Sequence, residues 1–598
     1  MRGGDSIGVG IGFDAGRPPL PELRTDVRPW AQASTVGDLL VAAIARDPTG
    51  DAVVFPDERL SAEELGARAR QIASGLIGLG VQRGDRVGLL MANSPDCVAC
   101  MFAIALAGAV IVPINTRYRA LELPFVVRDS GVEVVISSDR IDDYADLVGL
   151  LSDALPGLSD AQDRFSLELP HAPALRSVIA LGARERLGTL SERDLLAAAK
   201  GVSPAELEHR RNGVRLRDDA LILYTSGTTA MPRGCRLSHE AIVRNWSVVA
   251  QILQVGPRDR VWAPCPLFHL GAVGPLLACV CAGAAFLSDT WFSPQRALRL
   301  IERERATHLY PAYPPITQGL LDQPELASAD LSAARVMLNV GPEDVLRQMQ
   351  AALPHVVQVS LYGSTEGGGA ITYNSLDEDL EARVCTTGLP LPGTELRIID
   401  PDSGQDLGVG GAGEIVLRSV GLFEGYVDEP AGARSSVDEQ GWYRTGDRGA
   451  LDERGRLRFL GRLKEMMKVG GENVAPAEIE SALSTHPSVK LVQVVGVPDE
   501  RLEEVPAAFI ECRAGAVMTE QEAIEHCRGR IARFKVPRYV RFVQEWPLSA
   551  TKIQRGVLRA QLIAELEQRR QQGEIADLSP DERPDDSREL GVREGELR

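Results

Sequence analysis

Hydroxyl groups, glycines and one cation are concentrated in residues 221–234, which read LILYTSGTTAMPRG. An apolar, strand-like run leads directly into this polar loop. Backbone N–H groups in such a turn can converge on phosphate oxygens, and Arg233 can neutralise charge there. The loop lacks the GxxxxGK[ST] pattern, so the usual argument for a P-loop nucleotidase does not apply. The positions expected to contact phosphate are Thr225, Ser226, Gly227, Thr228 and Thr229.

Four further segments follow in a fixed order: PLFH at 266–269, YGSTE at 362–366, GWYRTGD at 441–447 and GRLKEMMKVGGENV at 461–474. Together with the YTSGTT loop they resemble the signature motifs of the adenylate-forming superfamily, which contains acyl-CoA synthetases, luciferases and peptide-synthetase adenylation domains. The resemblance covers about residues 36–560 and is strongest to acyl-CoA synthetases. It implies an enzyme that joins a carboxylate to the α-phosphorus of ATP, expels pyrophosphate and then passes the acyl group to a thiol.

The resemblance implies a role for each nucleotide-binding position. Glu366 would hold the magnesium ion that bridges phosphate oxygens, since Mg²⁺ usually keeps few protein carboxylates beside its phosphate ligands. Thr365 would bond the α-phosphate, and the face of Tyr362 would receive adenine. Asp447 would accept hydrogen bonds from both ribose hydroxyls, with support from Arg462. The remaining nucleotide-binding positions are Asn339, Val340, Gly341 and Gly363.

Two lysines are expected to serve opposite faces of a mobile C-terminal domain. Lys552, in PLSATKIQR at 547–555, resembles the catalytic lysine of adenylation and would stabilise charge in the transition state. Lys464 occupies the hinge position, about which members of the family rotate this domain after adenylation. The segment that begins at Lys464 would then complete the thioester-forming site, with Gly470 and Gly471 among its CoA-binding residues.

Three features depart from the family pattern. Ala230 stands where the family usually has Gly, and Arg233 stands where it usually has Lys. Arg keeps the charge but not its point-like shape, and Ala restricts the backbone torsions. The usual Gly before the catalytic lysine is missing, so that loop is one residue shorter. We therefore expect altered adenylation, but not its complete loss.

The segment PLFH at 266–269, which resembles the family's gating segment, indicates which acids fit. Amino-acid adenylation domains place an Asp beside it, whereas this chain has Phe268, His269 and Leu270, so an amino-acid substrate is disfavoured. His269 is also a candidate catalytic residue. Small residues after Glu366 leave room for a bulky or extended acyl chain, which predicts a fatty, branched or alicyclic acid. The expected pocket lining is His269, Tyr310, Tyr313, Gly341, Gly367, Gly368 and Gly369.

CoA is the predicted acceptor, because VGGENV at 469–474 resembles CoA ligases and no insertion typical of acyl-AMP ligases is obvious. Two alternatives remain open. One is an acyl-AMP ligase that loads a carrier protein. The other is a catalytically impaired nucleotide-binding relative, suggested by Ala230, Arg233 and the short lysine loop.

The elements that must position these residues alternate between helical and strand-like patterns, which predicts parallel sheets covered by helices. The predicted fold class is α/β: a large N-terminal domain of layered β-sheets with helices plus a distorted β-barrel, and a small mobile α+β C-terminal domain. The predicted boundaries are a flexible leader at 1–35, the large domain at 36–463, the mobile domain at 464–560 and an acidic, disordered tail at 561–598.

Composition restricts the class of protein. The chain has 598 residues, of which 44% are hydrophobic and 25% are charged, the usual balance of a soluble globular protein. Its net charge of −18 argues against a nucleic-acid partner.

Gly and Pro interrupt the two long uncharged runs, 97–114 and 263–288, so we predict buried core segments rather than membrane spans. The first thirty residues lack an apolar signal core, which predicts a cytoplasmic protein; a homodimer is compatible with the sequence.

Overall fold

The computed structural model describes residues 34–572 except 120, 142–144, 226–230, 430–436, 470–471, 500–501, 529 and 550–551. The chain divides into two compact units, Met1–Lys464 and Glu465–Arg598. Most of the predicted leader and residues 573–598 of the predicted tail lie outside the described residues.

The α-helices begin at Val36 and recur throughout the chain. Their bounds are α1 (Val36–Arg46), α2 (Ala62–Gly78), α3 (Pro95–Ala107), α4 (Glu122–Ser130), α5 (Leu147–Ala154), α6 (Glu192–Ala199), α7 (Pro204–Asn212), α8 (His239–Ile252), α9 (Leu270–Ala282), α10 (Pro294–Arg303), α11 (Pro314–Leu321), α12 (Glu343–Ala352), α13 (Leu380–Cys385), α14 (Pro476–Ser484), α15 (Glu520–Cys527) and α16 (Arg555–Gln571).

The strands interleave with these helices. Their bounds are β1 (Asp51–Val54), β2 (Arg59–Ser61), β3 (Arg86–Leu90), β4 (Val110–Pro113), β5 (Val134–Ser138), β6 (Ser177–Leu181), β7 (Leu190–Ser191), β8 (Asp219–Thr225), β9 (Arg233–Ser238), β10 (Arg260–Trp262), β11 (Ala285–Leu287), β12 (His308–Ala312), β13 (Val336–Asn339), β14 (Val357–Val359), β15 (Leu361–Tyr362), β16 (Thr372–Tyr373), β17 (Leu389–Pro390), β18 (Thr394–Ile399), β19 (Ala412–Ser419), β20 (Tyr443–Leu451), β21 (Leu457–Arg462), β22 (Met467–Val469), β23 (Glu472–Val474), β24 (Val489–Asp499), β25 (Glu503–Cys512), β26 (Tyr539–Phe542), β27 (Leu548–Ser549) and β28 (Lys552–Ile553).

The larger unit is built on two seven-stranded sheets. Their strand orders are β14-β13-β12-β10-β11-β1-β2 and β7-β6-β5-β3-β4-β8-β9. Neighbouring strands are parallel except at one edge of each sheet, where β2 and β9 run antiparallel. One continuous apolar cluster includes residues of both sheets. The predicted α/β class, with a large N-terminal domain of sheets and helices, is confirmed.

The two long uncharged runs form core elements. In the first, every residue of α3 is buried, Gly108 ends the helix with a left-handed φ of 79°, and β4 follows. The second run contains α9, which is buried at every position but one, and β11. Helices that are apolar all round suit the interior of a large protein. Among the described helices, none has the length and apolarity that crossing a bilayer requires.

Two small antiparallel sheets are formed within residues 361–462. The first has the order β15-β16-β17 and the second has the order β18-β19-β20-β21. Over the described residues, backbone pairing keeps these two sheets separate. They carry Tyr362 and Asp447, so this region positions two of the predicted nucleotide contacts.

The smaller unit contains the sheet β23-β22-β25-β24, with β26 added alongside β25. Its last helix, α16, requires a correction to the predicted tail, because residues 561–571 are helical. Leu558, Leu562 and Leu566 recur every four residues and are buried against strand residues such as Val497 and Phe509. An apolar stripe of this spacing stabilises a helix by burying one face, so residues 561–571 belong to the folded smaller unit.

Two buried histidines make the larger unit sensitive to acid. His239 accepts a hydrogen bond from the Val36 N–H, with 3.1 Å between N and Nδ1, and His308 Nε2 lies 2.9 Å from the Leu253 carbonyl oxygen. Burial lowers the pKa of each imidazole to about 4. The unfolded chain therefore binds more protons below pH 6.5, and stability is lost as the pH falls towards 4.

We expect each histidine to cost about 2 kcal/mol of unfolding free energy between pH 7 and pH 5. Urea unfolding at the two pH values measures this loss. In His308→Gln the unfolding free energy should differ less between pH 7 and pH 5 than it does in the wild-type protein. Exposed His209→Gln is the control and should leave the difference unchanged. If the unfolding free energy of all three proteins depended equally on pH, buried His308 would not be a source of the acid sensitivity.

Candidate active site

The β8–β9 hairpin carries the two ends of the predicted phosphate loop. Thr225 ends β8 and Arg233 begins β9, and the two residues are register partners. The Thr225 hydroxyl donates to the Arg233 carbonyl oxygen at 3.5 Å. Ser226, Gly227, Thr228 and Thr229, with Ala230, lie outside the described residues, so their contact with phosphate stays a prediction.

Arg233 is held by an aromatic ring and by acidic side chains. Its guanidinium carbon lies 3.7 Å from the centroid of the Tyr426 ring, and Nη2 lies 3.2 Å from Asp428 Oδ1 and 3.8 Å from Glu429 Oε1. A planar guanidinium can stack on an aromatic face and pair with carboxylates at once, which the compact ammonium of Lys does less well. The sequence analysis missed Tyr426, Asp428 and Glu429, whose only local signal is an aromatic residue followed closely by two acids.

Glu366 is joined to the same cluster. Its Oε1 accepts a hydrogen bond of 3.0 Å from the Tyr426 hydroxyl, and its carbonyl oxygen accepts one of 2.8 Å from the Phe423 N–H. Burial and then the charge of Glu366 raise the pKa of Tyr426, so this hydroxyl remains a donor at neutral pH. Tyr426 therefore contacts the predicted metal ligand with its hydroxyl and Arg233 with its ring.

The side chain of Glu366 is suited to bind a magnesium ion. The carboxylate is half-buried, and its hydrogen bond with Tyr426 comes from a neutral hydroxyl that does not cancel its charge. A hard carboxylate oxygen of this kind suits Mg²⁺, which tolerates few protein ligands beside phosphate and water.

Removing the Tyr426 hydroxyl should weaken the binding of Mg²⁺ by Glu366. In Tyr426→Phe the ring under Arg233 remains, but Glu366 loses a donor. Since hydrogen bonds to charged groups contribute about 1.5–3 kcal/mol, we expect kcat/KM for MgATP to fall about tenfold or more. The half-saturating Mg²⁺ concentration should rise in parallel. Buried Tyr118→Phe is the control. A lower kcat at unchanged Mg²⁺ dependence would show that the hydroxyl only supports the fold.

Tyr362, Asp447 and Arg462 form a second connected group. The Tyr362 hydroxyl donates to Asp447 Oδ2 at 2.7 Å, and Arg462 Nε lies 3.3 Å from Asp447 Oδ1. Asp447 and Arg462 are register partners on β20 and β21, and Asp447 is buried. Burial and then the charge of Asp447 raise the pKa of Tyr362. The sequence analysis missed Phe459, whose ring lies 5.6 Å from that of Tyr362 at an interplanar angle of 24°.

The segment after β15 folds into a tight loop around Thr365. The Thr365 carbonyl oxygen accepts a hydrogen bond of 3.1 Å from the Gly368 N–H, and Thr365 itself is half-buried. A Cβ at Gly363 would lie 1.8 Å from the Gly369 carbonyl oxygen. Gly363 is thus required for this close backbone approach, whether or not it also contacts the nucleotide.

Asn339 ends β13, and Val340 and Gly341 follow it, next to the strand that leads to Tyr362. The Asn339 side chain is fully buried: it accepts from the Thr317 hydroxyl and donates to Gln358 Oε1 at 3.2 Å. The Val340 N–H donates to the Ala312 carbonyl oxygen at 2.9 Å. These contacts restrict the predicted nucleotide contact of Asn339 to its backbone.

The gating histidine caps α9. His269 Nδ1 accepts from the Gly271 N–H at 2.9 Å, and its ring meets that of Tyr313 edge-on, with 6.2 Å between centroids. Two of the predicted pocket residues therefore lie together. Tyr310 is buried on β12, where its ring meets that of Trp246.

The small residues after Glu366 are closely covered on one side. The buried indole of Trp246 lies against Gly368 and Gly369. A Cβ at Gly369 would approach this ring to 2.7 Å. Gly368 and Gly369 have φ values of +77° and +107°, so the backbone itself requires glycine there.

The lysine motifs lie at the boundary and in the smaller unit. Lys464 is exposed and is the last residue of the larger unit. Lys552 begins β28 and is the register partner of Ser549 on β27. Gly470 and Gly471, between β22 and β23, lie outside the described residues.

Arg555, three residues after Lys552, links several parts of the smaller unit. Its Nη1 lies 2.5 Å from Glu465 Oε2, its Nη2 lies 2.7 Å from Glu480 Oε1, and its Nε donates to Gln493 Oε1 at 2.8 Å. Burial raises the pKa of Glu480, and the Arg555 charge opposes that shift. A single arginine thus connects the residue after the hinge lysine to the first turn of α16.

Comparisons with known proteins identify the family of the chain. The family model of AMP-binding enzymes matches residues 40–427, and that of the AMP-binding enzyme C-terminal domain matches residues 478–552. YngI of Bacillus subtilis (strain 168), whose acyl-CoA synthetase activity is itself inferred, is 35% identical over 89% of this chain and 97% of its own length. The mitochondrial medium-chain acyl-CoA ligase ACSF2 of Rattus norvegicus is 34% identical over 88% of this chain and 87% of its own length.

A solved structure shares the fold over nearly the same span. The anthranilate CoA ligase AuaEII, in complex with anthranoyl-AMP, superposes with a TM-score of 0.77 at 25% identity. The match covers 90% of this chain and 98% of that chain.

Proposed function

Because the chain belongs to the AMP-binding enzyme family, we propose that it is an acyl-CoA synthetase, an ATP-dependent acid–thiol ligase. A carboxylate oxygen attacks the α-phosphorus of ATP, the bond to pyrophosphate breaks, and acyl-AMP forms. The thiol sulfur of CoA then attacks the acyl carbonyl carbon, and AMP leaves with the electron pair of the broken bond. The observation that carries this proposal is the connected group Tyr362–Asp447–Arg462 beside the Glu366 loop.

The residues of the larger unit bind and orient ATP. Asp447 presents a buried carboxylate, oriented by Tyr362 and Arg462, to the ribose hydroxyls. Thr365 and the hydroxyls of residues 225–229 bind phosphate oxygens, and the cation of Arg233 lowers the repulsion between two anions. Mg²⁺, held by Glu366, would neutralise phosphate charge when bound.

The two lysines act in different half-reactions. Lys552 stabilises the charge that moves during adenylation, as its resemblance to the catalytic lysine of the family implies. Lys464 acts as the hinge: changes in a few backbone torsions there rotate the C-terminal domain after adenylation. The segment containing Gly470 and Gly471 then serves thioester formation. The division of the chain between Lys464 and Glu465 supports this hinge position.

The acid is proposed to carry an apolar acyl group. Phe268, His269 and Leu270 offer no carboxylate to pair with an α-ammonium group, and Tyr310 and Tyr313 supply aromatic lining. His269 Nδ1 accepts the hydrogen bond that caps its own helix, which holds the imidazole at the start of α9. CoA is the proposed thiol, in keeping with the names of the relatives.

A panel of carboxylic acids with ATP, Mg²⁺ and CoA tests this function. Mass spectrometry should detect an acyl-CoA product, with stoichiometric AMP and pyrophosphate, for at least one apolar acid. ATP binding without pyrophosphate release from any acid would instead support a catalytically impaired relative. Accumulation of acyl-AMP with CoA, but transfer to a phosphopantetheinylated carrier protein, would support an acyl-AMP ligase. Heat-denatured protein is the control for uncatalysed chemistry.

A further inference from the structure

We propose that Trp246 closes the acyl pocket behind the glycine segment 367–369 and thereby restricts the enzyme to short or compact apolar acids. This inference rests on the proposed function, because it assigns a limit to the acid that the same site activates. Trp246 lies on α8 and is only 2% exposed.

The indole lies between two glycine backbones. A Cβ at Gly274, in α9, would lie 1.9 Å from Trp246 Cζ2, and a Cβ at Gly369 would lie 2.7 Å from the same atom. The ring therefore occupies a slot that exists only because both positions lack a side chain. Gly in a helix interior is unfavourable by about 0.5–1 kcal/mol relative to Ala, so the sequence retains Gly274 against its helix propensity.

The ring is also oriented by a hydrogen bond. Trp246 Nε1 donates to the Gly368 carbonyl oxygen at 3.1 Å. The neighbouring Asn245 donates through Nδ2 to the Ala370 carbonyl oxygen at 2.8 Å. Both bonds tie α8 to the loop that directly follows Glu366, so the indole has one defined position at this loop.

Other residues of the predicted pocket are also closely packed. Tyr310 meets Trp246 edge-on with 6.4 Å between ring centroids. A Cβ at Gly341 would lie 2.7 Å from Pro314 Cγ, so the backbone there is also closely covered. In this proposal, an acyl chain that passes His269 and Tyr313 ends at the indole. Without the indole, Gly274 and Gly369 would border additional apolar volume.

Chain-length profiles of the wild-type protein, Trp246→Ala and Trp246→Phe test this limit. Acids from acetate to dodecanoate, with cyclohexanecarboxylate, are compared by kcat/KM. Trp246→Ala should raise the ratio of dodecanoate to butanoate by about tenfold or more, since each newly buried methylene contributes about a factor of four. Trp246→Phe keeps a ring in the slot and should keep the wild-type preference for short acids.

Two outcomes would overturn the inference. One is an equal loss of kcat/KM for every acid in Trp246→Ala, which would make the indole only a support for the loop. The other is a wild-type protein that uses dodecanoate as well as butanoate. If Trp246→Ala fails to bind ATP, Trp246→Leu replaces it, with an expected shift in the same direction.

A binding measurement separates this inference from the proposed function. Butanoyl-sulfamoyladenosine should raise the Tm of the wild-type protein more than dodecanoyl-sulfamoyladenosine does, and the order should reverse in Trp246→Ala. A protein that shows this pattern but turns over no acid would refute the ligase activity while retaining the pocket limit. Equal stabilisation of the wild-type protein by both analogues would refute the limit itself.

Discussion

Replacing Lys552 by alanine should abolish adenylation and spare thioester formation from supplied acyl-AMP. Loss of one charge-stabilising donor typically lowers the rate by about 10²–10³-fold, and a cation facing two anionic reactants belongs at the upper end of that range. Pyrophosphate release measures the first half-reaction. Acyl-CoA formation from synthetic acyl-AMP measures the second, which should stay within about twofold of the wild-type rate if the two faces act separately.

Lys490 offers a matched control for this experiment. It lies on β24 of the same unit and pairs with Glu511, with 2.6 Å between Nζ and Oε1. Lys490→Ala should leave both half-reactions unchanged. Equal loss of both half-reactions in Lys552→Ala would contradict the assignment of the two lysine motifs to different steps.

Replacing Glu366 by glutamine should lower adenylation about 10²-fold or more, because the substitution removes the carboxylate charge from the proposed Mg²⁺ ligand. Glutamine keeps an oxygen that can accept from the Tyr426 hydroxyl, so the local packing is retained. The half-saturating Mg²⁺ concentration should rise strongly. Binding of ATP in the absence of Mg²⁺ should change little, and fluorescence titration of a labelled nucleotide measures it.

Glu395→Gln is the control for charge alone. Glu395 lies on β18 and pairs with Arg418 at 2.8 Å, and its side chain is well exposed. The control should show wild-type Mg²⁺ dependence. A Glu366→Gln protein that loses rate without any change in Mg²⁺ dependence would refute the role of Glu366 as a metal ligand.

The amino-acid sequence by itself determined the family and the fold class. Both depend on local patterns: motifs such as YGSTE are contiguous, and helical or strand periodicity extends over a few residues. The prediction of an adenylate-forming enzyme, most similar to acyl-CoA synthetases, is confirmed by the family matches. The roles of individual site residues stay predictions, although the structure does bring Tyr362, Asp447 and Arg462 together.

Only the tertiary structure decided how the motifs are supported and how much space they enclose. Tyr426 reaches Glu366 across 60 positions of sequence, and Trp246 reaches Gly368 across 122. The glycines after Glu366 predicted room for an acyl chain, yet Gly368 and Gly369 are required by positive φ values, and Gly369 also lies against the indole of Trp246 on α8. No local pattern specifies such contacts, because close packing of distant segments decides which side chain occupies a given volume.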